Sequence, residues 1–206
     1  MTTSDPLVVS GAVEGVVDEA VLRRLVELAG AKLGPVYGKN GKKHLQQKIN
    51  GYNHASRISQ WVVLVDLDHD ANCAPSLRDS WLPKSSPYMH FRVSVHAVEA
   101  WLLADRESLS AFLGVPTSRI PIDPEAESQP KRTLVELARH SRRREIREDM
   151  APRPSSGRMV GPGYTSRLIE FVADTAAGWQ PDAAARSSDS LNRCLRCLRQ
   201  LAGRSK

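Results

Sequence analysis

The clearest hydrophobic run in the chain covers residues 61–65, which read WVVLV. The run is rich in β-branched valine and is too short for a helix. Such a run is typical of a parallel strand that is covered on both faces. Three aspartates follow it at alternating positions, Asp66, Asp68 and Asp70. The pattern therefore predicts a buried strand that carries carboxylates to one edge of a sheet.

Strands and helices alternate through the first half of the chain. Apolar runs predict strands at residues 7–9, 36–37 and 61–65, and alternating apolar and polar residues predict a strand at residues 89–96. Apolar residues at helical spacing predict helices near residues 17–28, 45–52, 76–82 and 97–112. Because each parallel return needs a crossover, this alternation predicts an α/β fold with a Rossmann-like parallel sheet of about four strands flanked by helices.

We assign the α/β core to residues 1–113 and a helical extension, packed on that core, to residues 114–206. The extension begins with a proline-rich connection, and its later segments contain apolar residues at helical spacing. Residues 150–163 are rich in proline, glycine and serine, so we predict a flexible loop there.

The composition is that of an ordinary globular protein, with 41% hydrophobic and 25% charged residues. The sequence has neither an apolar stretch long enough to cross a membrane nor an N-terminal secretory signal. We therefore expect a cytoplasmic protein without a membrane partner. The net charge of +6 and the isoelectric point near 9.5 are compatible with a phosphate-rich partner.

The three cysteines are too few for a disulfide framework and fit a reducing compartment. Cys194 and Cys197 form a C-x-x-C pair, but no second pair of cysteines or histidines accompanies it. We interpret these two as a core thiol and a surface thiol rather than as a zinc or redox site.

The aspartates at residues 66–70 favour a bound cation. Two like charges about 4 Å apart repel by about 4 kcal/mol at an effective dielectric constant of about 20, so clustered carboxylates take up protons or bind a cation. Oxygen ligands without cysteine or histidine favour Mg²⁺ or Mn²⁺. The alternative is that this segment is a solvated loop or a helix cap.

Glu99 lies in the predicted helix at residues 97–112, on a face that it shares with apolar residues. A buried charge is costly there without a partner, so Glu99 is a candidate functional residue, with Arg92 and His96 close to it in the sequence. The alternative is an exposed glutamate, or one that pairs with Arg92 or Arg106.

Two acidic motifs follow predicted strands in a recognisable order. Glu14 and Gly15 follow the first strand, and the DLDHD run at residues 66–70 follows the third. This order resembles the Toprim superfamily, which includes topoisomerases, bacterial primases, recombination proteins and OLD-type nucleases. The phrase VEAWLLAD at residues 98–105 and the later phrases PE, PK and GPGY are similar to an uncharacterised bacterial family of Toprim-like proteins related to OLD-type nucleases. The resemblance covers most of the chain and implies a Toprim-like core.

The resemblance implies Mg²⁺-dependent or Mn²⁺-dependent cleavage or transfer at a phosphodiester of DNA or RNA. Asp66 and Asp68 would bind the metal and would form the catalytic set together with Glu14. Glu14 would complete the metal site or move a proton, and Asp70 would be an additional ligand. Glu99 would recruit a second ion.

The same resemblance suggests how the substrate is held and chosen. Arg92, His96 and Lys131 are the candidate substrate-binding residues. Lys131 or Arg92 would neutralise the scissile phosphate, and the alternative for each is a surface ion pair. Similarity to OLD-type nucleases further implies a separate ATPase that selects the substrate, and a role in defence against phage or plasmids.

Two other functions fit parts of the sequence. A haloacid-dehalogenase-like phosphatase would use Asp66 as its nucleophile, but the usual Gly-Thr does not follow the DxD motif, and Glu14 is then unexplained. A non-catalytic module that binds nucleic acid or an ATPase would use the acidic edge to hold a structural metal and the basic residues to hold its partner.

Overall fold

The computed structural model describes residues 5–68 and 70–203, and this part of the chain has an α/β fold built on a four-stranded sheet. The strands are β1 (Val8–Val13), β2 (Lys32–Gly38), β3 (Trp61–Asp66) and β4 (Met89–Ser94). Their order across the sheet is β2-β1-β3-β4, and each neighbouring pair is parallel. The predicted Rossmann-like parallel sheet is therefore confirmed.

Helices connect the strands and make up the rest of the described chain. The crossovers contain α1 (Val16–Leu28), α2 (Lys42–Ala55) and α3 (Ala74–Trp81). After β4 come α4 (Val98–Leu103), α5 (Arg106–Leu113), α6 (Pro130–Arg139), α7 (Arg144–Met150), α8 (Tyr164–Ala173), α9 (Pro181–Ala184) and α10 (Asp189–Gly203), with short 3-10 turns at Thr117–Arg119 and Pro124–Ala126. Residues 151–163 contain neither helix nor strand. None of the described helices is long and apolar enough to cross a bilayer.

Strand β3 lies between β1 and β4, which explains its uninterrupted apolar sequence. The side chains of residues 62–65 are fully buried, and those of Val63 and Val65 pack in one cluster with Leu45 and Ile49 of α2. Covering the strand on both faces removes apolar surface from water along its whole length. The strand reaches the surface only at its carboxyl end, where Asp66 is half-buried.

The prediction of one helix over residues 97–112 is wrong, because α4 and α5 are separate helices. Asp105 lies between them and is buried. Its Oδ1 accepts a hydrogen bond from the backbone N–H of Ser108 at 3.2 Å, and its Oδ2 accepts one from the backbone N–H of Gln180 at 2.7 Å. The carboxylate thus caps the new helix by satisfying an amide that has no partner within it.

The described chain divides into two compact units. The first contains the sheet, with the chain up to Val95 and from Asn192 onward, and the second is His96–Leu191. This division falls earlier than the boundary that we drew after residue 113, because α4 packs against α6 and α9 within the second unit.

The second unit has a core of large aromatic side chains. Trp101, Tyr164, Phe171 and Trp179 are all buried. The indole N–H of Trp101 donates to Ser190 Oγ at 2.7 Å, and that of Trp179 donates to the backbone oxygen of Trp101 at 3.1 Å. The core therefore satisfies the polar atom of each buried indole, as burial requires.

Candidate functional site

The sheet topology brings Glu14 and Asp66 together although 52 residues separate them in the sequence. Strands β1 and β3 are parallel neighbours, with Ala12 opposite Val63, so their carboxyl ends lie side by side. The backbone N–H of Asp66 donates a hydrogen bond to Glu14 Oε1 at 2.9 Å. The acidic motifs that follow the first and third strands thus meet at one edge of the sheet. We call this edge the acidic edge and define it as Glu14, Asp66, Asp68 and Asp70.

The Asp66 carboxylate is held by the neighbouring strand. Asp66 lies opposite Ser94 at the carboxyl end of β4. Ser94 Oγ donates a hydrogen bond to Asp66 Oδ1 at 2.5 Å, and Ser94 itself is buried. This contact orients the carboxylate at the end of the strand, as a functional carboxylate requires.

A lysine that the sequence analysis did not identify lies among the aspartates. The ammonium of Lys42, Nζ, is 2.9 Å from Asp68 Oδ2 and 2.6 Å from Asp70 Oδ2. It also donates to the backbone oxygen of Asp66 at 2.5 Å. The side chains of Asp68 and Asp70 are about half exposed, at 50% and 54%, whereas that of Lys42 is 17% exposed. The acidic edge therefore already surrounds one positive charge.

The loop after β2 explains why Lys42 lies there. Gly41 donates its backbone N–H to the backbone oxygen of Glu14 at 3.0 Å. Gly38 has a φ of +86°, and a Cβ atom at this position would lie 2.2 Å from the Val13 carbonyl oxygen, so only glycine fits. The loop follows the end of β1 closely and places the first residue of α2, Lys42, beside the acidic edge.

The environment of the edge shifts the pKa values of Glu14 and Lys42. Burial raises the pKa of Glu14 to about 7, against the opposing effects of the Asp66 amide and the Lys42 charge. Burial also acts on Lys42, but its hydrogen bonds with Asp70 and Asp68 outweigh it and raise the pKa of the ammonium. Lys42 thus stays charged, while Glu14 exchanges a proton near neutral pH, where a general acid or base is most effective.

A metal would have to displace Lys42. Within residues 5–68 and 70–203, no three His, Cys, Asp or Glu side chains are arranged as a ready metal site. At the acidic edge, Asp68 and Asp70 point to the Lys42 ammonium, and Asp66 is held by Ser94. The donor set still fits Mg²⁺ or Mn²⁺, because it consists of carboxylate and carbonyl oxygens that already accept a cation.

Glu99 is buried in the second unit and has a different set of partners from those expected. Its Oε1 accepts a hydrogen bond from the Tyr164 hydroxyl at 3.3 Å and lies 3.9 Å from Lys131 Nζ. Lys131 Nζ also lies 5.7 Å from the centre of the Tyr164 ring. The alternative of an exposed glutamate, or one paired with Arg106, is wrong, since Arg106 donates to the backbone oxygens of Thr117 and Ile120. The structure thus joins two predicted site residues, Glu99 and Lys131.

The remaining predicted residues lie on either side of the division between the units. Arg92 lies in β4 of the first unit, two residues before Ser94, and its charge acts on the Cys194 thiol. His96 begins the second unit and has a positive φ of 61°. Substrate binding by Arg92, His96 and Lys131, and metal binding by Glu99, stay predictions.

Comparison with protein-family models, with curated proteins and with solved structures finds no match for the chain. The Toprim resemblance therefore remains a prediction from the motifs.

Proposed function

We propose that the protein is a divalent-metal-dependent nuclease or phosphotransferase that acts on a nucleic-acid phosphodiester at the acidic edge. The observation that carries the proposal is the contact between Glu14 and Asp66 at the same edge where Asp68 and Asp70 surround a cation. Carboxylates from two parallel strands converge there, at the position where open α/β sheets bind their ligands.

The charge balance of the acidic edge supports a divalent ion. The carboxylates of Asp68, Asp70 and Glu14 act on the ammonium of Lys42. Asp66 adds a fourth carboxylate to the edge, so negative charge remains when all four are ionised. Mg²⁺ is usually bound by one or two carboxylates together with waters and substrate phosphates. Asp66 and Asp68 would be the ligands here, and Asp70 would be an additional ligand. Glu14 would either complete the set or move the proton.

Each residue at the edge has a chemical task in this proposal. A bound Mg²⁺ or Mn²⁺ supplies Lewis acidity to the phosphoryl oxygens and lowers the pKa of a bound water. Glu14 takes a proton from the attacking oxygen or returns one to the leaving oxygen, which its pKa of about 7 favours. Lys42, displaced from the aspartates, neutralises an oxygen of the scissile phosphate.

The charge pattern of α2 supports a nucleic-acid partner. The helix begins at the acidic edge with Lys42, and its sequence, KKHLQQKINGYNHA, contains no acidic residue. Lys43 and Lys48 are exposed on it. An acid-free helix that starts at the reaction centre provides contacts for the phosphates that flank the scissile one.

The function is tested by cleavage of plasmid DNA and of structured RNA with Mg²⁺ or Mn²⁺. We expect Glu14→Gln, Asp66→Asn and Asp68→Asn each to lower the rate by about 100-fold or more, because each removes a ligand or the proton carrier. The matched control is Asp79→Asn, since Asp79 is an exposed aspartate of α3 that pairs with Arg78. This control should cleave at the wild-type rate.

Three outcomes would contradict the proposal. Cleavage that persists in Glu14→Gln and Asp66→Asn would exclude the acidic edge as its source. Binding of nucleic acid without cleavage under any metal would favour the non-catalytic module. A phosphorylated Asp66 trapped with a phosphate ester would favour the phosphatase.

Selection of the substrate by a partner ATPase, in defence against phage or plasmids, is part of the same proposal. Affinity purification of the tagged protein from its native cells is expected to recover an ATPase. If no ATPase is recovered even from cross-linked samples, the proposed partner ATPase, and with it the likeness to OLD-type systems, is contradicted.

A further inference from the structure

Three aromatic side chains of the first unit form one stack between the sheet and α2. The ring centroids of Tyr37 in β2 and Trp61 in β3 are 5.3 Å apart, and the ring planes are inclined by 24°. The ring centroids of Tyr52 in α2 and Trp61 are 5.4 Å apart, with an inclination of 23°. These distances are typical of offset-stacked rings. We call Tyr37, Tyr52 and Trp61 the aromatic stack.

The aromatic stack is held firmly on its inner side and is open to solvent on its outer side. Trp61 is buried, and its indole N–H donates a hydrogen bond to Ser59 Oγ at 3.1 Å. Tyr37 lies on β2, which is at the edge of the described sheet, and it is 46% exposed. Because the Trp61 ring already orients Tyr37, stacking a further flat ring on Tyr37 costs little conformational entropy.

The aromatic stack belongs to the longest part of the chain without an acidic residue. Residues 28–65 contain no aspartate or glutamate, and all the aromatic residues among them, Tyr37, Tyr52 and Trp61, are in the stack. The same segment contains six cationic residues, Lys32, Lys39, Lys42, Lys43, Lys48 and Arg57. Lys39 pairs with Glu19, and Lys42 pairs with aspartates of the acidic edge, whereas Lys48 is exposed.

Lys48 lies beside the stack. It precedes Tyr52 by four residues on α2, so the two side chains lie on the same side of that helix. Positive charge next to stacked aromatic rings is the combination with which proteins bind single-stranded nucleic acid, because the cation attracts the phosphates and a ring accepts the flat face of any base.

The outer ring of the stack lies close to the acidic edge. Tyr37 is opposite Ala12 in the parallel pair of β2 and β1, and Ala12 precedes Glu14 by two residues. With a rise of about 3.3 Å per residue and about 4.8 Å between strands, the backbones of Tyr37 and Glu14 are about 8 Å apart. A nucleic-acid strand with a base on Tyr37 can therefore reach the acidic edge with a nearby phosphate.

We propose that the aromatic stack and Lys48 bind a single-stranded segment of nucleic acid, DNA or RNA, beside the acidic edge. An unpaired base stacks on the Tyr37 ring, and Lys48 neutralises a phosphate of the same strand. A duplex keeps its bases paired and stacked on one another, so it uses the lysine but not the ring. As a statement about the substrate of the acidic edge, this rests on the function proposed above.

The test measures binding of three fluorescein-labelled probes of equal length, oligo(dT), oligo(U) and a DNA duplex, by fluorescence anisotropy in EDTA. The single strand that binds more tightly shows whether DNA or RNA is preferred. We expect Tyr37→Ala to weaken binding of that strand by about tenfold and to leave the duplex unchanged. Tyr37→Phe keeps the ring and should bind within about twofold of wild type.

Tyr88→Ala is the matched control. Tyr88 is 43% exposed, similar to Tyr37, but it precedes β4 at the amino end of the sheet. No ring contact among the described residues includes it. This variant should bind all three probes as wild type does.

Salt dependence separates the ring from the lysine. Tyr37→Ala removes no charge, so the slope of log affinity against log salt should stay at the wild-type value. Lys48→Gln should weaken binding of single strands and duplex alike and reduce the slope by about 0.7–1.

Unchanged binding of both single strands in Tyr37→Ala, or an equal loss for single strands and duplex, would overturn the inference. Because EDTA removes the metal, these results do not depend on cleavage. A selective loss in Tyr37→Ala, in a protein that cleaves nothing, would support the stack and contradict the nuclease. Unchanged binding in Tyr37→Ala, in a protein that cleaves through Glu14, would overturn the stack and leave the nuclease standing.

Discussion

Lys42 is the residue that most changes the interpretation of the acidic edge. Its ammonium forms ion pairs with Asp68 and Asp70. The motifs alone predict a metal ion at that position. The sequence contains a signal for it, because a lysine in the first turn of a helix is unfavourable beside the positive end of the helix dipole. That signal indicates an acidic partner nearby, but only the loop from Gly38 to Gly41 determines which one.

Replacing Lys42 should uncover the competition between the ammonium and a metal. Without metal, Lys42→Met leaves the aspartates unpaired and should lower the free energy of unfolding by about 1–2 kcal/mol. Saturating Mg²⁺ should then raise the melting temperature more in Lys42→Met than in wild type, because no ammonium has to leave. Thermal unfolding in EDTA and in Mg²⁺ measures both effects.

Lys43→Met is the control, since Lys43 is the exposed neighbour on the same helix. It should behave as wild type in both buffers. An equal Mg²⁺ effect in Lys42→Met and wild type would show that the ion does not bind where the ammonium lies.

Glu14 should make the stability of the metal-free protein fall as the pH rises. Its pKa is raised from 4.5 to about 7 in the folded state, so the folded protein binds this proton more tightly than the unfolded chain. The stabilising contribution is complete below about pH 4.5 and is lost as the pH rises to 7 and above. Because Glu14 is only half-buried, we expect the loss to be about 1–2 kcal/mol.

Glu14→Gln tests this linkage, because glutamine keeps an acceptor for the Asp66 amide but does not titrate. Urea unfolding in EDTA should show the variant gaining stability relative to wild type between pH 5 and pH 8. A stability difference that is the same at both pH values would contradict the raised pKa.

At the scale of elements, the pattern of apolar residues predicts those helices and strands whose position depends on which side chains are buried. The continuous run WVVLV predicts strand β3. The need for parallel crossovers predicts that each acidic motif follows a strand of the same sheet. The break between α4 and α5 does not follow, because the apolar pattern continues through it. Asp105 interrupts the helix through a contact with Gln180, 75 residues away, which no local pattern contains.

Asp105 should therefore be important for the stability of the second unit. Asp105→Ala leaves the backbone N–H groups of Ser108 and Gln180 without their acceptors in a partly buried position, and should lower the free energy of unfolding by about 2–4 kcal/mol. Glu107→Ala, an exposed residue in the first turn of α5, should change it by less than about 0.5 kcal/mol. Denaturant unfolding followed by circular dichroism measures both, and equal values would contradict the role of the cap.

At the scale of the molecule, the strand order creates the candidate site. Glu14 and Asp66 meet because β1 and β3 are neighbours, which the motif order leads us to expect. The division after Val95 and the burial of Glu99 against Tyr164 and Lys131 were not predictable, because they depend on contacts between residues distant in the sequence.

If the basic chain binds nucleic acid through its lysines, the affinity should fall as the salt concentration rises. Lys43→Glu combined with Lys48→Glu should weaken binding to unrelated sequences alike and reduce the slope of log affinity against log salt by about 1–2. Lys32→Glu, an exposed residue at the amino end of β2, is the control. Fluorescence anisotropy over a salt series measures the slopes, and an unchanged slope in the double variant would remove α2 from the interface.

The central claim, that the acidic edge binds a divalent ion, is tested most directly by the crystal structure of the protein with Mn²⁺, using anomalous scattering to locate the metal. We predict an anomalous peak about 2 Å from carboxylate oxygens of Asp66 and Asp68, with the Lys42 ammonium moved away from Asp68 and Asp70. A structure in which Lys42 keeps both ion pairs at saturating Mn²⁺, and no anomalous peak lies at the edge, would contradict the claim.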